Sequence, residues 1–91
     1  MDRVLTDDLV QARKHYPCDA CYWWGRSGYR LDDCETGDQR LFVEAAQADK
    51  WKILPGQMYR RIKGISDGSV TTYRARPGMQ IVIEELKLLV D

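Results

Sequence analysis

The sequence has few of the residue types on which small enzymes and secreted proteins depend. It contains one His, three Cys, three Pro and one Phe among 91 residues. No Gly-x-Ser-x-Gly, Walker A or His-Glu-x-x-His motif is present, and the adjacent Asp32 and Asp33 are more typical of a turn than of an acid/base pair. We therefore predict a protein with no catalytic residues and no enzymatic activity. An odd number of thiols favours reduced cysteines in a cytoplasm over a disulfide framework.

Long hydrophobic runs are absent as well. No stretch approaches the ~18 consecutive apolar residues of a membrane-spanning helix, and the first residues lack the basic and apolar segments of a secretory signal. Lys/Arg and Asp/Glu balance at 14 each, but residues 1–50 carry seven basic and ten acidic residues, whereas residues 51–91 carry seven and four. This balance disfavours a protein that coats DNA generally, yet it permits a local basic face.

The first half of the chain predicts two helices and a hairpin. Thr6-Asp7-Asp8 is typical of a helix N-terminus, and this first helix would end before Pro17. The aromatic run Tyr22–Leu31 contains a Gly-x-x-Gly turn, which predicts a hairpin after the Cys-x-x-Cys pair. Asp38 predicts the cap of a middle helix over about 38–50. The expected inner face of that helix comprises Leu41, Phe42, Ala45 and Ala46.

The second half predicts another hairpin and a final element. Pro55-Gly56 suits a type II turn before a strand over 57–65, and Asp67-Gly68 predicts a tight turn into a partner strand over 69–76. Pro77-Gly78 ends that strand, and the apolar residues that follow predict a C-terminal helix or strand. The fold class we expect is α+β, with residues 1–91 forming a single small domain.

The cysteines and the histidine predict a zinc site. All four lie between residues 15 and 34, and a tetrahedral zinc centre takes thiolate and imidazole ligands at about 2.0–2.3 Å. Two alternatives remain open, namely simple buried thiols and redox chemistry. Redox Cys-x-x-Cys pairs usually open a helix, whereas here the pair runs into Tyr-Trp-Trp. The predicted metal ligands are His15, Cys18, Cys21 and Cys34.

Several motifs resemble a family of short zinc proteins encoded by bacteriophages and prophages. The matching segments are Ala12–His15, Cys18-x-x-Cys21, Ile53–Arg61, Asp67-Gly68 and Tyr73–Pro77. The match covers about half of the chain. The resemblance implies a treble-clef-like zinc fold of knuckle, β-hairpin and helix.

Two departures from this family concern the metal site. Residues 22–52 form an insertion, because the family passes directly from the knuckle to the Pro-Gly turn. The family's late His-Pro-x-Cys ligand pair is also missing: Arg76 stands in place of the His and Met79 roughly in place of the Cys. His15 and Cys34 are then the remaining candidates to complete a zinc site.

The second hairpin concentrates positive charge and tyrosines. Cations interleaved with aromatics suit phosphate contact with base stacking, or docking onto an acidic protein, or simply a solvated sheet face. Most Trp residues in a small domain are buried, but one of the adjacent Trp23 and Trp24 would face outward in an extended strand. The candidate contact residues for a partner protein or a nucleic acid are Trp24, Arg26, Tyr59, Arg60, Arg61, Lys63, Tyr73, Arg74 and Arg76.

The function we expect is protein binding in the cytoplasm of a bacterial host cell. The phage resemblance implies a host protein complex as the partner, with inhibition of a bacterial defence system, in the manner of anti-CRISPR proteins, as one form of this function. The alternative is a small zinc-finger-like protein that binds nucleic acid in regulation.

Overall fold

Three helices and two antiparallel sheets form most of the described chain. The computed structural model describes residues 3–88. In chain order its elements are β1 (Arg3–Gln11), β2 (Tyr16–Pro17), α1 (Asp19–Ser27), a 3₁₀ turn (Leu31–Asp33), α2 (Gly37–Ala48), β3 (Lys52–Ile53), β4 (Met58–Ser66), β5 (Ser69–Ala75) and α3 (Pro77–Glu85). The larger sheet has the strand order β1-β4-β5, and β2 pairs with β3 in the smaller one. The predicted α+β single-domain class is confirmed.

The prediction of an N-terminal helix is wrong, because residues 3–11 form an edge strand. β1 runs antiparallel to β4, with Asp8 opposite Arg61. Asp7 accepts two hydrogen bonds from the Arg60 guanidinium, at 3.0 and 2.8 Å. Acids that suit a helix N-terminus also suit a place beside a basic strand. Here the long-range pairing outweighs the local capping preference.

The predicted knuckle and aromatic hairpin are also wrong, because these residues form helix α1. Cys18 is the N-cap, Asp19 lies in the first turn and Arg26 in the last, as the helix dipole favours. Gly28 ends the helix with a left-handed φ of 77°. The inward-facing residues of α1 recur at helical spacing, so the aromatic run belongs to an amphipathic helix. They are Ala20, Cys21 and Trp24.

The predicted middle helix is confirmed as α2, although its cap and inner face differ. Thr36, not Asp38, is the N-cap, and it exchanges hydrogen bonds of 3.1 and 3.3 Å with Gln39 in a capping box. Leu41, expected inside, is 63% exposed. The buried residues of α2 are Gln39, Val43 and Ala46.

The second hairpin and the final helix agree with the prediction. Gly56 has a φ of 88°, and the Gln57 amide donates to the Leu54 carbonyl oxygen across the Pro-Gly turn at 3.1 Å. Asp67 and Gly68 both have positive φ, as the tight turn between β4 and β5 requires. Pro77 is the first residue of α3, a position where its missing N–H costs nothing.

The core lies where α2 and α3 pack together, with α1 alongside α3. At this contact Gly78 meets Phe42 so closely that a Cβ added at Gly78 would lie 2.4 Å from the Phe42 Cδ1. The 22–52 segment therefore supplies core residues. The largest fully buried side chains are Ile53, Met79, Ile83, Val43 and Val82. Within residues 3–88, no helix has the length and apolar content needed to cross a bilayer.

Candidate functional site: a cleft over two thiols

The four predicted metal ligands do not form one site. Within the described residues, no group of three or more His, Cys, Asp and Glu side chains is placed to hold a metal ion. Cys18 and Cys21 are buried, and His15 is exposed. Cys34 is half-buried, with the charges of Arg40 and of acidic side chains nearby. Two thiols alone do not make the closed four-ligand site expected of structural zinc. The predicted ligand set is thus corrected to a pair, and zinc binding itself stays a prediction.

Cys18 lies at the N-terminus of α1, where backbone amides point at its sulfur. Its Sγ accepts hydrogen bonds from the Cys21 amide at 3.4 Å and from the Arg76 amide, which comes from the start of α3, at 3.3 Å. The Cys21 thiol and these amides stabilise the thiolate more than burial disfavours it, so the pKa of Cys18 falls to about 7.

Cys21 lies one helical turn further on, and its pKa shifts in the opposite direction. Its thiol donates a hydrogen bond to the Cys18 sulfur, and both this bond and burial raise the pKa of Cys21. The two residues are 4% and 6% exposed. The pair is therefore asymmetric, with one sulfur prepared to carry negative charge and the other to remain protonated.

A cleft of about 580 Å³ opens over the two sulfurs. We call it the thiol cleft. Its walls are mostly apolar, its edge carries three cations, and none of the described residues lining it is acidic. Tyr22, on the exposed side of α1, is 56% exposed and accepts a hydrogen bond from Arg26 at 3.0 Å. The lining residues are Pro17, Cys18, Cys21, Tyr22, Trp24, Gly25, Arg26, Lys50, Trp51 and Lys52.

One wall of the thiol cleft has a strained backbone. Lys50 and Trp51 follow the end of α2 and have left-handed φ values of 57° and 64°. The Trp51 amide donates to the Ala46 carbonyl oxygen at 2.8 Å, which ties this turn to the helix. A bulky residue such as Trp rarely takes positive φ, and such strain costs about 1–3 kcal/mol per residue. Strain of this kind is concentrated at functional sites.

Arg76 ties this wall to the thiols and is not a surface contact. Its guanidinium pairs with Asp49 at 2.7 Å and donates to the Lys52 carbonyl oxygen at 2.8 Å. Its side chain is only 15% exposed. Hydrogen bonds from Gln57 and then from Arg76 hold the pKa of Asp49 below its ordinary value. Arg76 therefore connects the strained turn to the start of α3, whose amide contacts Cys18.

Several other predicted contact residues have structural roles instead. Trp24 and Tyr59 are buried, at 5% and 4% exposure, so neither presents its ring on the outer surface, although Trp24 lines the thiol cleft. Arg60 is occupied by Asp7 at 2.8 Å and by Glu84 at 3.6 Å. The Tyr73 hydroxyl donates to a Gln80 side-chain oxygen at 2.6 Å, and burial raises the pKa of Tyr73.

The remaining predicted cations share one side of the larger sheet with two that the sequence analysis missed. Arg61 and Arg74 lie directly opposite each other across β4 and β5, and Lys63 follows on the same side. The Arg74 guanidinium lies 4.6 Å from the Tyr16 ring centroid. We call this surface the cationic face. It comprises Arg13, Lys14, Arg61, Lys63 and Arg74.

The cationic face is only partly neutralised. Asp8 reaches Arg61 at 3.8 Å. The Nε atoms of Arg61 and Arg74 are buried, and neither has a hydrogen-bond partner among residues 3–88. Two like charges placed directly opposite on a sheet are unfavourable without a counter-ion. This face can therefore receive an anionic group.

No protein-family model matches the chain, and no curated protein or solved structure matches it either. The two sites are therefore interpreted from their own geometry. Of the thiol cleft, the sequence analysis singled out the two cysteines, Trp24 and Arg26. It missed Lys50, Trp51 and Lys52. These residues follow α2 in the sequence, and only the folded chain brings them to the cleft.

Proposed function

We propose that this chain is a binding protein whose thiol cleft receives a segment of a partner protein. The observation that carries the proposal is the composition of the cleft: apolar walls, a cationic edge and a strained turn on one side. Such a surface complements a segment that presents an apolar side chain flanked by acids. Exposed Tyr22 with Arg26 stacked on it supports the proposal, because Tyr and Arg often anchor protein interfaces.

The resemblance to phage and prophage proteins suggests the class of partner. We propose that the partner is a protein complex in the cytoplasm of a bacterial host cell. Inhibition of a defence system, in the manner of anti-CRISPR proteins, is the specific form that we would test first. Its support is the phage-like motif order together with the presence of a cleft suited to protein binding.

Capture from a bacterial lysate followed by binding measurements tests the proposal. The wild-type protein is compared with Tyr22→Ala, at the edge of the cleft, and with Leu41→Ala, an exposed apolar residue on α2 that does not line it. A partner should bind the wild type and Leu41→Ala equally, and Tyr22→Ala at least about tenfold more weakly, which corresponds to ~1.4 kcal/mol. Equal binding to all three proteins, or no partner at all, would contradict the proposal.

A second function, nucleic-acid binding, is favoured by the cationic face. Arg61, Arg74 and Lys63 offer partly unneutralised charge on one side of the sheet. A labelled single-stranded DNA oligonucleotide and its RNA counterpart are suitable probes. Binding through this face should weaken with salt, and Lys63→Ala should reduce the salt slope by about 0.7 for the phosphate contact that it removes.

Arg26→Ala is the matched control, because it removes one cation from the thiol cleft and leaves the cationic face intact. Binding that is absent at low salt would eliminate this second function. Binding that Arg26→Ala weakens as much as Lys63→Ala would assign the charge effect to the whole protein and not to this face.

A further inference from the structure

We propose that Cys18 and Cys21 form a reversible disulfide by exchange with a disulfide substrate that enters the thiol cleft. The substrate class is a cysteinyl disulfide, carried by a small molecule such as glutathione disulfide or by a partner protein. This activity shares the cleft with the proposed binding function but does not depend on it, because a small disulfide needs no protein partner.

The placement of the two thiols supports the exchange. They lie within the first turn of α1, and the Cys21 thiol is hydrogen-bonded to the Cys18 sulfur. No backbone rearrangement between separate elements is needed to join them. Cys-x-x-Cys pairs at helix N-termini are the arrangement used by thiol–disulfide oxidoreductases. The aromatic run after the pair argued against a helix at this point, but the structure places the pair at the start of helix α1.

The surroundings assign different roles to the two sulfurs. The Cys18 sulfur receives amide hydrogen bonds from two directions, from Cys21 in its own helix and from Arg76 in α3. These donors stabilise negative charge on the sulfur, so Cys18 is the attacking sulfur. Cys21 is the resolving thiol, because it lies in the same turn as Cys18 and has no comparable set of amide donors among the described contacts.

The reaction has two balanced steps. The Cys18 thiolate attacks one sulfur of the substrate disulfide, forms a mixed disulfide and releases the other substrate sulfur as a thiolate. Cys21 then loses its proton to solvent or to that thiolate and attacks the Cys18 sulfur, which releases the second substrate sulfur as a thiolate. Two electrons pass from the cysteine pair to the substrate, so the pair is oxidised and the substrate is reduced.

Access and position separate this pair from the third thiol. Both cleft sulfurs are nearly buried, so the substrate has to enter between α1 and the Lys50–Lys52 wall. Cys34 follows the 3₁₀ turn outside the cleft, with Arg40 and Glu44 of α2 nearby. It provides an internal control in every measurement.

The experiment equilibrates the full chain with bis(2-hydroxyethyl) disulfide and separately with glutathione redox buffers, followed by acid quenching, maleimide labelling and peptide mass mapping. In the oxidised protein we expect loss of labelling at two of the three thiols and an intramolecular link with the mass of two hydrogen atoms fewer. Reduction should restore labelling. Cys34→Ser should behave as the wild type does, and Cys21→Ser should retain a mixed disulfide on Cys18.

Two results would overturn the proposal. One is full labelling of both cleft thiols both with bis(2-hydroxyethyl) disulfide and across the whole range of glutathione redox buffers, measured on the wild type and therefore independent of any folding defect in a variant. The other is a disulfide or adduct that involves Cys34 in place of the pair. Reaction with the small disulfide but not with glutathione would support the exchange and restrict it to substrates that fit the cleft. Neither of the two overturning results bears on the binding of a partner segment that lacks cysteine. The experiment therefore tests the disulfide exchange separately from the proposed binding function.

Discussion

Replacing Arg76 by Ala is the sharpest test of how the thiol cleft is held together. The substitution removes the 2.7 Å ion pair with Asp49 and the 2.8 Å hydrogen bond to the Lys52 carbonyl oxygen. The backbone amide that contacts Cys18 remains. If Arg76 were a surface residue poised for a partner, as the sequence suggested, the loss would be within about 0.5 kcal/mol.

The contacts predict a larger loss. Removing one member of a fully buried ion pair costs about 3–5 kcal/mol. Here the partners are 15% and 23% exposed, and Asp49 keeps its 2.7 Å hydrogen bond from Gln57, so the orphaned carboxylate is partly compensated. We therefore expect the free energy of unfolding to fall by about 2–3 kcal/mol. A domain of this size has only about 5–14 kcal/mol in total, so the effect is easily measured.

Urea denaturation followed by tryptophan fluorescence gives the measurement, with Arg26→Ala as the control for losing one exposed cation. The midpoint should fall without a change in the slope. The loss should also shrink in acid. The folded pKa of Asp49 is lowered, so the pair stabilises the protein above the ordinary carboxyl value of 3.8 and ceases to do so as the pH falls through the folded pKa. A loss no larger than that of Arg26→Ala, or one independent of pH, would refute this role of Arg76.

Three further predictions concern the packing, the thiols and the metal. Gly78→Ala should destabilise the domain by about 1–3 kcal/mol, because its Cβ would lie 2.4 Å from the Phe42 Cδ1; calorimetry should show that Phe42→Ala in the same chain makes the Gly78 substitution much less costly. Iodoacetamide should label Cys18 with a pH midpoint near 7, below that of Cys34, whose pKa burial raises; peptide mapping against pH checks this, and the reverse order would contradict it. The zinc prediction is checked by elemental analysis of protein purified without chelator: about one zinc per chain would support it, and much less than one zinc per chain would contradict it.

The elements predicted correctly are those with signals close together in the chain. Pro55-Gly56 and Asp67-Gly68 fix turns through the φ values that they permit, so the hairpin could be predicted from the sequence alone. The periodicity of the apolar residues predicts the middle helix correctly. Its N-cap is Thr36, paired with Gln39, and lies just before Asp38, the predicted cap. Local turn chemistry and helical periodicity thus predict most of the correct part of the fold.

The errors fall where distant residues decide. The local sequence around Asp7 and Asp8 predicts the start of a helix, yet the partners of these residues on β4 lie more than fifty positions later in the sequence. The cysteine pair was expected to form a knuckle, because the following aromatics favour strands. The segment forms a helix instead, because a helix buries Trp24 and Cys21 on the same side. The thiol cleft depends on the same kind of distant contact, so its Lys50–Lys52 wall was not predictable.

Arg76 connects the start of α3 to the 22–52 segment. Its amide donates to the Cys18 sulfur, and its guanidinium bonds to Asp49, to the Lys52 carbonyl oxygen and to Gln57. Two of these guanidinium partners, Asp49 and Lys52, belong to the 22–52 segment. We infer that these contacts hold the cysteine turn, the hairpin and α3 together. Amide hydrogen exchange at Cys21 should then accelerate in Arg76→Ala beyond the increase expected from global stability alone, whereas equal acceleration throughout the core would limit Arg76 to a general contribution.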